Sequence, residues 1–251
     1  MTAGPLLFAR YAYPPNALGL CGADETRTLL EYGAARASDG GLAELARSFE
    51  GAWPYLTLIA GSNGIADPLD PRVVEAYWVG NDLLDRVTLR DLSRHVEDRF
   101  RARIGRSWER VLDAVGAGAV PHHTFHVLAV YPWLGLLRSG VIEQPLHVLD
   151  RCRTTPAVVQ SAGADSARVL LRPLEWNGRS LELGPPTARE VRWSDAGLAF
   201  VARPRAGDWV SLHWDFVCDR LAANHAARLV YETRRTLAAV NASPATAAVL
   251  S

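Results

Sequence analysis

The sequence has no excess of either charge and no long apolar run. Its 251 residues carry 27 Lys+Arg and 27 Asp+Glu, which gives a formal net charge of +0 at pH 7. Without a basic excess, we expect no binding to nucleic acid or to an anionic membrane surface. No charge-free apolar run reaches the roughly 18 residues of a membrane span, so none is predicted. Lysine is absent as well, which we interpret as a compositional bias.

Cysteine is also scarce. The chain has three, Cys21, Cys152 and Cys218, too few and too far apart for a disulfide framework. The first residues lack the basic start and apolar stretch of a signal peptide. These features predict a cytoplasmic protein, in which reduced thiols are available as metal ligands.

The chain has enough apolar residues to form packed cores. The hydrophobic fraction is 49% and the charged fraction 22%, as in folded soluble proteins. At about 100–200 residues per domain, the length allows one large domain or two small ones.

The first part of the chain has helical periodicity. Apolar residues recur every three to four positions up to about residue 145, which predicts five or six helices and no strands. We expect residues 1–20 to be irregular, with a turn at Pro14-Pro15-Asn16. One helical stretch is predicted from Gly41 to Asn63, with either a kink or a restart at Pro54.

The pattern changes after Pro145. Short segments, several of them alternating and residues 198–202 among them, are separated by Gly, Pro, Asn or Asp, which is typical of a small β-barrel. Residues 222–240 predict a final helix. The sequence therefore predicts an α+β protein with a helical domain at 1–147 and a barrel with a C-terminal helix at 148–251.

Two segments of this second part carry chemistry. Cys152 lies in Arg-Cys-Arg-Thr-Thr-Pro-Ala-Val-Val, and His213 lies in Gly-Asp-Trp-Val-Ser-Leu-His-Trp-Asp-Phe-Val. Thiolate and imidazole both suit ferrous iron. Taken singly, a cysteine is more often a small core residue and a histidine in a strand more often a hydrogen-bonded one.

Together these segments resemble the HypC-type chaperones that assemble [NiFe]-hydrogenases. Cys152 stands four residues before Pro156, as in that family, and the string from Gly207 to Phe216 keeps the Gly-Asp, aromatic, Val, His and Phe of its later strand. The chain departs from the family because Cys152 is internal and Ala157 replaces a glycine. The resemblance covers about the last 100 residues.

The resemblance implies a HypC-like, OB-like barrel and a maturation factor for [NiFe]-hydrogenase. Cys152 and His213 would ligate iron, carried as an Fe(CN)2CO-type fragment. The implied partners are a hydrogenase large-subunit precursor and a HypD-like maturation protein. Neither the oligomeric state nor the role of the helical part follows from the sequence.

A second candidate site lies in Pro121-His-His-Thr-Phe-His126. If a helix starts at Pro121, His122 and His126 are one turn apart and can reach one metal ion, while His123 points elsewhere. Cys21 precedes a predicted helix, so we expect a lowered thiol pKa and a place in the same site. The structural alternative is a helix start with hydrogen-bonded histidines.

Two other functions remain open at this stage. The helical part could be a metal- or haem-dependent enzyme that uses Cys21, His122 and His126 to supply a diatomic ligand, with the barrel as its docking module. The chain could also be an interaction protein without a metal.

Overall fold

The computed structural model describes residues 2–22, 26–104 and 108–242, which form a mixed α+β protein. The α+β prediction is confirmed. Helices occupy the chain before the strands, and one long helix follows them. Within the described ranges the helices are α1 Gly4–Ala17, α2 Thr26–Ala35, α3 Gly40–Arg47, α4 Trp53–Ser62, α5 Pro71–Trp78, α6 Leu89–Ile104, α7 Trp108–Gly116, α8 His123–Phe125, α9 Trp133–Arg138, α10 Glu143–Cys152 and α11 Ala223–Ala242.

The N-terminal segment is helical, contrary to the prediction of an irregular start. Helix α1 contains Pro14 and Pro15 in its last turn. A proline in a helix removes one backbone N–H and so leaves the carbonyl four residues earlier without its usual donor. Burial of almost the whole of α1 compensates for these lost bonds, because residues 6–16 are all buried.

The helical stretch predicted from Gly41 to Asn63 is two helices, which agrees with the predicted alternative of a restart at Pro54. Asp39 caps α3 by accepting hydrogen bonds from the backbone N–H groups of Gly41 and Leu42. The chain then turns through residues 48–52, and α4 begins at Trp53 with Pro54 in its first turn. Proline is favoured there because its missing N–H has no partner inside the helix. The turn carries Gly51, which lies beside the candidate site.

Seven strands follow. They are β1 Thr155–Ala162, β2 Ser166–Leu171, β3 Leu174–Trp176, β4 Leu181–Leu183, β5 Thr187–Arg192, β6 Trp209–His213 and β7 Phe216–Leu221. Five form one sheet in the order β1-β2-β5-β7-β6, and β6 pairs with β1 as well. A single parallel residue pair, Arg192 with Phe216, joins β5 to β7. Strands β3 and β4 form a separate hairpin.

One predicted strand is absent from this sheet. Residues 198–202 make only an isolated bridge between Asp195 and Leu198. Their place beside β6 is taken by β7, which the alternation pattern did not identify because Phe216, Val217 and Cys218 are consecutively buried. A strand that is buried on both faces has no alternation to detect.

The core has two parts. A smaller cluster fills the sheet with alternate residues such as Val159, Val169 and Val210. The larger cluster begins in α1, runs through the helices and continues into β7 and α11. The predicted boundary between residues 147 and 148 lies inside α10. The larger core therefore crosses the predicted boundary.

The final helix connects the two regions. Helix α11 packs on α7 and α8 and also on β1 and β6. Its Arg228 donates to the backbone carbonyl of Asn81 and pairs with buried Glu232. Across the described ranges, every helix is too short or too polar to cross a membrane.

Candidate metal centre

Three buried side chains converge where the helical region meets the sheet. They are His123, the first residue of α8, Cys152, the last of α10, and His213, the last of β6. Each offers one ligand atom, and these three atoms all lie within 4.8 Å of one another. Tetrahedral sites with metal–ligand bonds of about 2.0–2.3 Å bring their donors to roughly 3.5 Å. If the three atoms moved closer together by about 1 Å, all three could bond to one metal ion.

The orientation of His213 is fixed by a helix carbonyl. His213 Nδ1 donates a hydrogen bond to the backbone oxygen of Tyr11, at 2.7 Å. That oxygen is available because Pro15, four positions later in α1, has no N–H to donate. The bond places the proton on Nδ1 and leaves the lone pair on Nε2. Nε2 is buried and makes no hydrogen bond of normal geometry in the described part of the chain, although the Cys152 carbonyl is near enough to raise the pKa of His213. A backbone partner such as the Tyr11 carbonyl is usual for metal-bound histidines.

His123 is held from both sides. Its Nε2 donates to the backbone carbonyl of Cys152 at 2.8 Å, and its Nδ1 lies 3.2 Å from the hydroxyl of Tyr77. Because a carbonyl only accepts, the proton is on Nε2 and the lone pair is on Nδ1. The Tyr77 hydroxyl has a second acceptor, the Gly51 carbonyl at 3.3 Å, so it can leave Nδ1 free for a metal.

Backbone contacts hold Cys152 and His213 near each other. The N–H of Trp214 donates to the carbonyl of Arg151 at 2.8 Å, which joins the residue after one ligand to the residue before the other. Trp214 and Asp215 both have positive φ, 51° and 55°. Type I′ hairpin turns require this conformation at both central residues, and non-glycine residues adopt it at a cost of about 1 kcal/mol or more. The β6–β7 turn, which directly follows the candidate ligand His213, is therefore strained.

An ionic network offsets that strain. The carboxylate of Asp215 pairs with Arg151 at 2.5 Å and with Arg189 at 3.3 Å. Arg189 also pairs with Asp150 at 2.6 Å, and Asp150 pairs with the fully buried Arg153 at 3.1 Å. The network links the end of α10 to the β6–β7 turn on both sides of Cys152.

Burial sets the protonation state of the candidate ligands. It lowers the pKa of His213 to about 4 and that of His123 well below its usual value, so both rings are neutral, as metal ligands must be. Burial raises the pKa of Cys152 to about 12. A cation is then needed to stabilise the thiolate, so metal binding would displace the thiol proton.

The three residues line one cavity of about 490 Å³. This volume lies within the range of pockets that bind small molecules. Aromatic side chains form much of the wall, among them Tyr77, Trp78, Phe100 and Tyr131. Cys21 and His126 also line it.

The proposed pairing of His122 with His126 is corrected. The helix begins at His123 rather than at Pro121, and His122 is its N-cap residue, whose Nδ1 accepts from the backbone N–H of Thr124 at 3.1 Å. His122 is not among the residues that line the cavity. His126 begins a π-helical turn, and π-turns are frequent at functional sites.

Cys21 lies at the same cavity but outside the group of three ligands. It follows α1 in a turn, and burial raises its pKa to about 12, whereas a lowered pKa was expected. Cys218 is a core residue that donates to the carbonyl of Phe216.

The residue that sequence reasoning missed is His123. We expected its ring to point away from the site because the helix was assumed to start two residues earlier. The available signal was its apolar setting: Phe125, Val127 and Leu128 surround the three histidines in sequence, and all are buried. Charged or water-exposed histidines rarely occur in such a segment.

The donor set suits a transition metal. One thiolate and two neutral imidazoles are typical ligands of Zn²⁺ and of ferrous iron. Three protein ligands leave at least one coordination position open, and all three residues face the cavity. Structural zinc sites, by contrast, are closed by four protein ligands.

Comparisons with known proteins give a family but no function. No curated protein and no solved structure matches the chain. One family model, described as a family of unknown function, matches residues 1–247. The chain therefore belongs to that family, DUF6390.

Proposed function

We propose that this protein binds a transition-metal ion, ferrous iron in its native setting, at His123, Cys152 and His213 and delivers it to a partner protein. The observation that carries the proposal is the convergence of these three buried donors within 4.8 Å. They come from sequence positions up to 90 residues apart, on three different elements. A core cysteine requires no such arrangement.

The finer proposal is maturation of a [NiFe]-hydrogenase. Two of the donors, Cys152 and His213, stand in the segments that resemble HypC-type chaperones, and both contribute to one site. The cargo would be an Fe(CN)2CO-type fragment. The partners would be a hydrogenase large-subunit precursor, which receives the fragment, and a HypD-like protein, which supplies it.

The chemistry of the site is compatible with release of a cargo. A thiolate is a strong donor, whereas neutral imidazole is a weaker one that a partner's thiolates can replace. Because the Cys152 pKa is raised to about 12, a metal ion would have to displace the thiol proton in order to bind. Protonation of the thiol during transfer would favour departure of the metal.

A second candidate function is an enzyme. The cavity of about 490 Å³ in front of the three donors is larger than a bare metal ion needs. Catalytic metal sites likewise combine three protein ligands with an open position facing a pocket. Turnover of a small molecule, rather than transfer of the metal, would distinguish this function.

Anaerobic purification from the native host, with metal analysis, tests the proposal. We expect iron in the wild-type protein, its loss in Cys152→Ser, and its retention in Cys218→Ser, which changes a buried cysteine outside the site. Infrared bands of bound CO or cyanide would support the iron fragment. Equal metal content in wild-type protein and Cys152→Ser would refute the metal site.

A further inference from the structure

Besides the three donors, two residues that line the cavity, Trp78 and His126, have a buried ring nitrogen without a hydrogen-bond partner in the described part of the chain. His126 Nε2 is buried and has no hydrogen-bond partner within the described ranges, and the His126 side chain lines the cavity. Leaving such an atom unpaired costs about 1–3 kcal/mol, so a native protein retains one where a ligand or water completes it. His126 Nε2 is therefore a polar group, separate from the three donors, that is available to a ligand in the cavity.

The tautomer of His126 follows from its neighbour. In the described part of the chain, the hydroxyl of Tyr55 has one hydrogen-bond partner, His126 Nδ1, at 3.2 Å. Tyr55 is fully buried, so its proton has to point at that nitrogen. Nε2 consequently carries the other proton and is a donor. A ligand that meets it must present an acceptor atom.

The space in front of this donor is kept open by Gly51. A Cβ at this position would lie 3.2 Å from His126 Nε2, closer than most Cβ contacts. The Gly51 carbonyl lies 3.3 Å from the hydroxyl of Tyr77, which in turn lies 3.2 Å from Nδ1 of His123. The open space before His126 thus adjoins one of the three metal donors.

Charge identifies the class of ligand. A divalent cation with one thiolate and two neutral imidazoles leaves a net charge of +1 in a buried site, which is costly. A monoanion bound at the open position would cancel that charge. Glu50 also lines the cavity but is exposed, so water screens its carboxylate.

We propose that the cavity binds a small monoanion that ligates the metal through one atom and accepts a hydrogen bond from His126 Nε2 through another. This inference rests on the metal site proposed above. It gives His126 a role distinct from that of a metal ligand, and it explains why a cavity of this size adjoins the three donors. The aromatic side chains of Phe100 and Tyr131 line the same cavity.

The test uses the full-length protein loaded with Co²⁺ and titrated with azide, with the visible cobalt bands as the signal. We expect azide to shift these bands in wild-type protein. His126→Phe removes the donor, and Gly51→Ala fills the space before it. Each should keep one cobalt per chain and weaken azide binding by about tenfold, the effect of one hydrogen bond to an anion.

His95→Phe is the matched control. His95 packs against the ring of Tyr55, with ring centroids 4.8 Å apart, but does not line the cavity. It should leave azide affinity unchanged. Equal azide affinity in wild type, His126→Phe and Gly51→Ala would overturn the inference, as would loss of cobalt from folded His126→Phe. Failure of wild-type protein to bind cobalt would refute the metal site and, with it, the anion site.

Discussion

At the residue scale, Pro15 of α1 determines the orientation of the His213 ring. In an ordinary helix the carbonyl of Tyr11 would accept from the N–H of residue 15. Since that residue is Pro15, the oxygen accepts from His213 Nδ1 instead, at 2.7 Å. Proline destabilises the interior of a helix. Its presence here is consistent with a local loss of helix stability that allows the Tyr11 carbonyl to orient His213.

Replacing Pro15 tests this arrangement. Pro15→Ala restores an N–H that competes for the Tyr11 carbonyl, so His213 loses its fixed orientation. We expect metal affinity to fall roughly tenfold, as for other partners of metal-bound histidines. Thermal stability of the metal-free protein should not fall, because a proline leaves the helix. Competition titration against a chelating dye measures the affinity.

Pro14→Ala is the control for that experiment, because the N–H that it restores faces the carbonyl of Arg10 rather than that of Tyr11. It should change metal affinity much less than Pro15→Ala does. Similar losses in both variants would indicate a general disturbance of α1 rather than an effect on His213.

His123 and His122 provide a second contrast at this scale. His123→Ala should abolish metal binding, because His123 is one of three donors, and ligands of one ion act as a unit. His122→Asn keeps a side chain that can cap α8 and should retain the metal. Metal counting by mass spectrometry of the native protein checks both. Retention of the metal in His123→Ala would remove this residue from the site.

The sequence indicated two of the three residues in this cluster as candidate ligands and did not indicate the third. Cys152 and His213 were recognisable because each stands in a local string with its own spacing. His123 is a donor only because α8 starts at that residue and because α10 ends next to it, 29 positions later. Helix starts are uncertain by a few residues, so the sequence did not show that His122 would be the N-cap of α8 and His123 its first residue.

At the scale of elements, the ionic network around Asp150 joins α10 to the sheet. Asp150 accepts from the N–H of Leu174 at 2.8 Å and from Arg153 and Arg189. Burial alone would raise its pKa, but the two arginines hold the pKa below its usual value. The ionised carboxylate therefore stabilises the folded state.

Removal of this charge should destabilise the protein. Asp150→Asn leaves Arg153, which is 1% exposed, without its counter-charge. We expect the free energy of unfolding near neutral pH to fall by about 3 kcal/mol. Because the folded-state pKa is lowered, the stabilisation is complete above the unfolded-state value of about 4 and is lost as pH falls through the folded-state pKa.

Denaturant titrations at several pH values measure both effects. Wild-type protein should lose stability more steeply below about pH 4 than Asp150→Asn does. Glu31→Gln removes half of the exposed pair between Arg27 and Glu31 and should change little. Parallel acid profiles for wild type and Asp150→Asn would contradict the role of the network.

Secondary structure was predictable where periodicity is strong and less so elsewhere. The final helix was expected at residues 222–240 and lies at Ala223–Ala242. The helical start of the chain was not expected, because Pro14 and Pro15 indicate a turn when considered locally. Burial of α1 against α2, α5 and the sheet overrides that local preference.

At the scale of the whole molecule, the larger core contains residues from both sides of the boundary that the periodicity predicts. The sequence predicts a separable unit at residues 148–251, of which residues 243–251 lie outside the described part of the chain. Limited proteolysis between Arg138 and Arg151 tests that division directly. The core that runs from α1 into β7 and α11 favours a single unit that resists such cleavage.

The metal centre should reinforce that unit. His123 belongs to the helical region and His213 to the sheet, so a metal ion bound to both links them as well as α10. A ligand that binds only the folded state at about 100 times its Kd adds about 2.7 kcal/mol to the free energy of unfolding. We therefore expect Zn²⁺ or ferrous iron to shift the whole unfolding transition.

Unfolding in urea, followed by tryptophan fluorescence and by helical circular dichroism, measures this coupling. Tryptophans lie in both regions, Trp78 among the helices and Trp209 in the sheet, so fluorescence reports on the whole chain, whereas circular dichroism reports on the helices. Both signals should change together in the metal-free protein and move together to higher urea when metal is added. Cys152→Ser should unfold in one transition that metal no longer shifts. Two separate transitions, with only one responding to metal, would show instead that the helical and strand regions fold independently and that the site belongs to one of them.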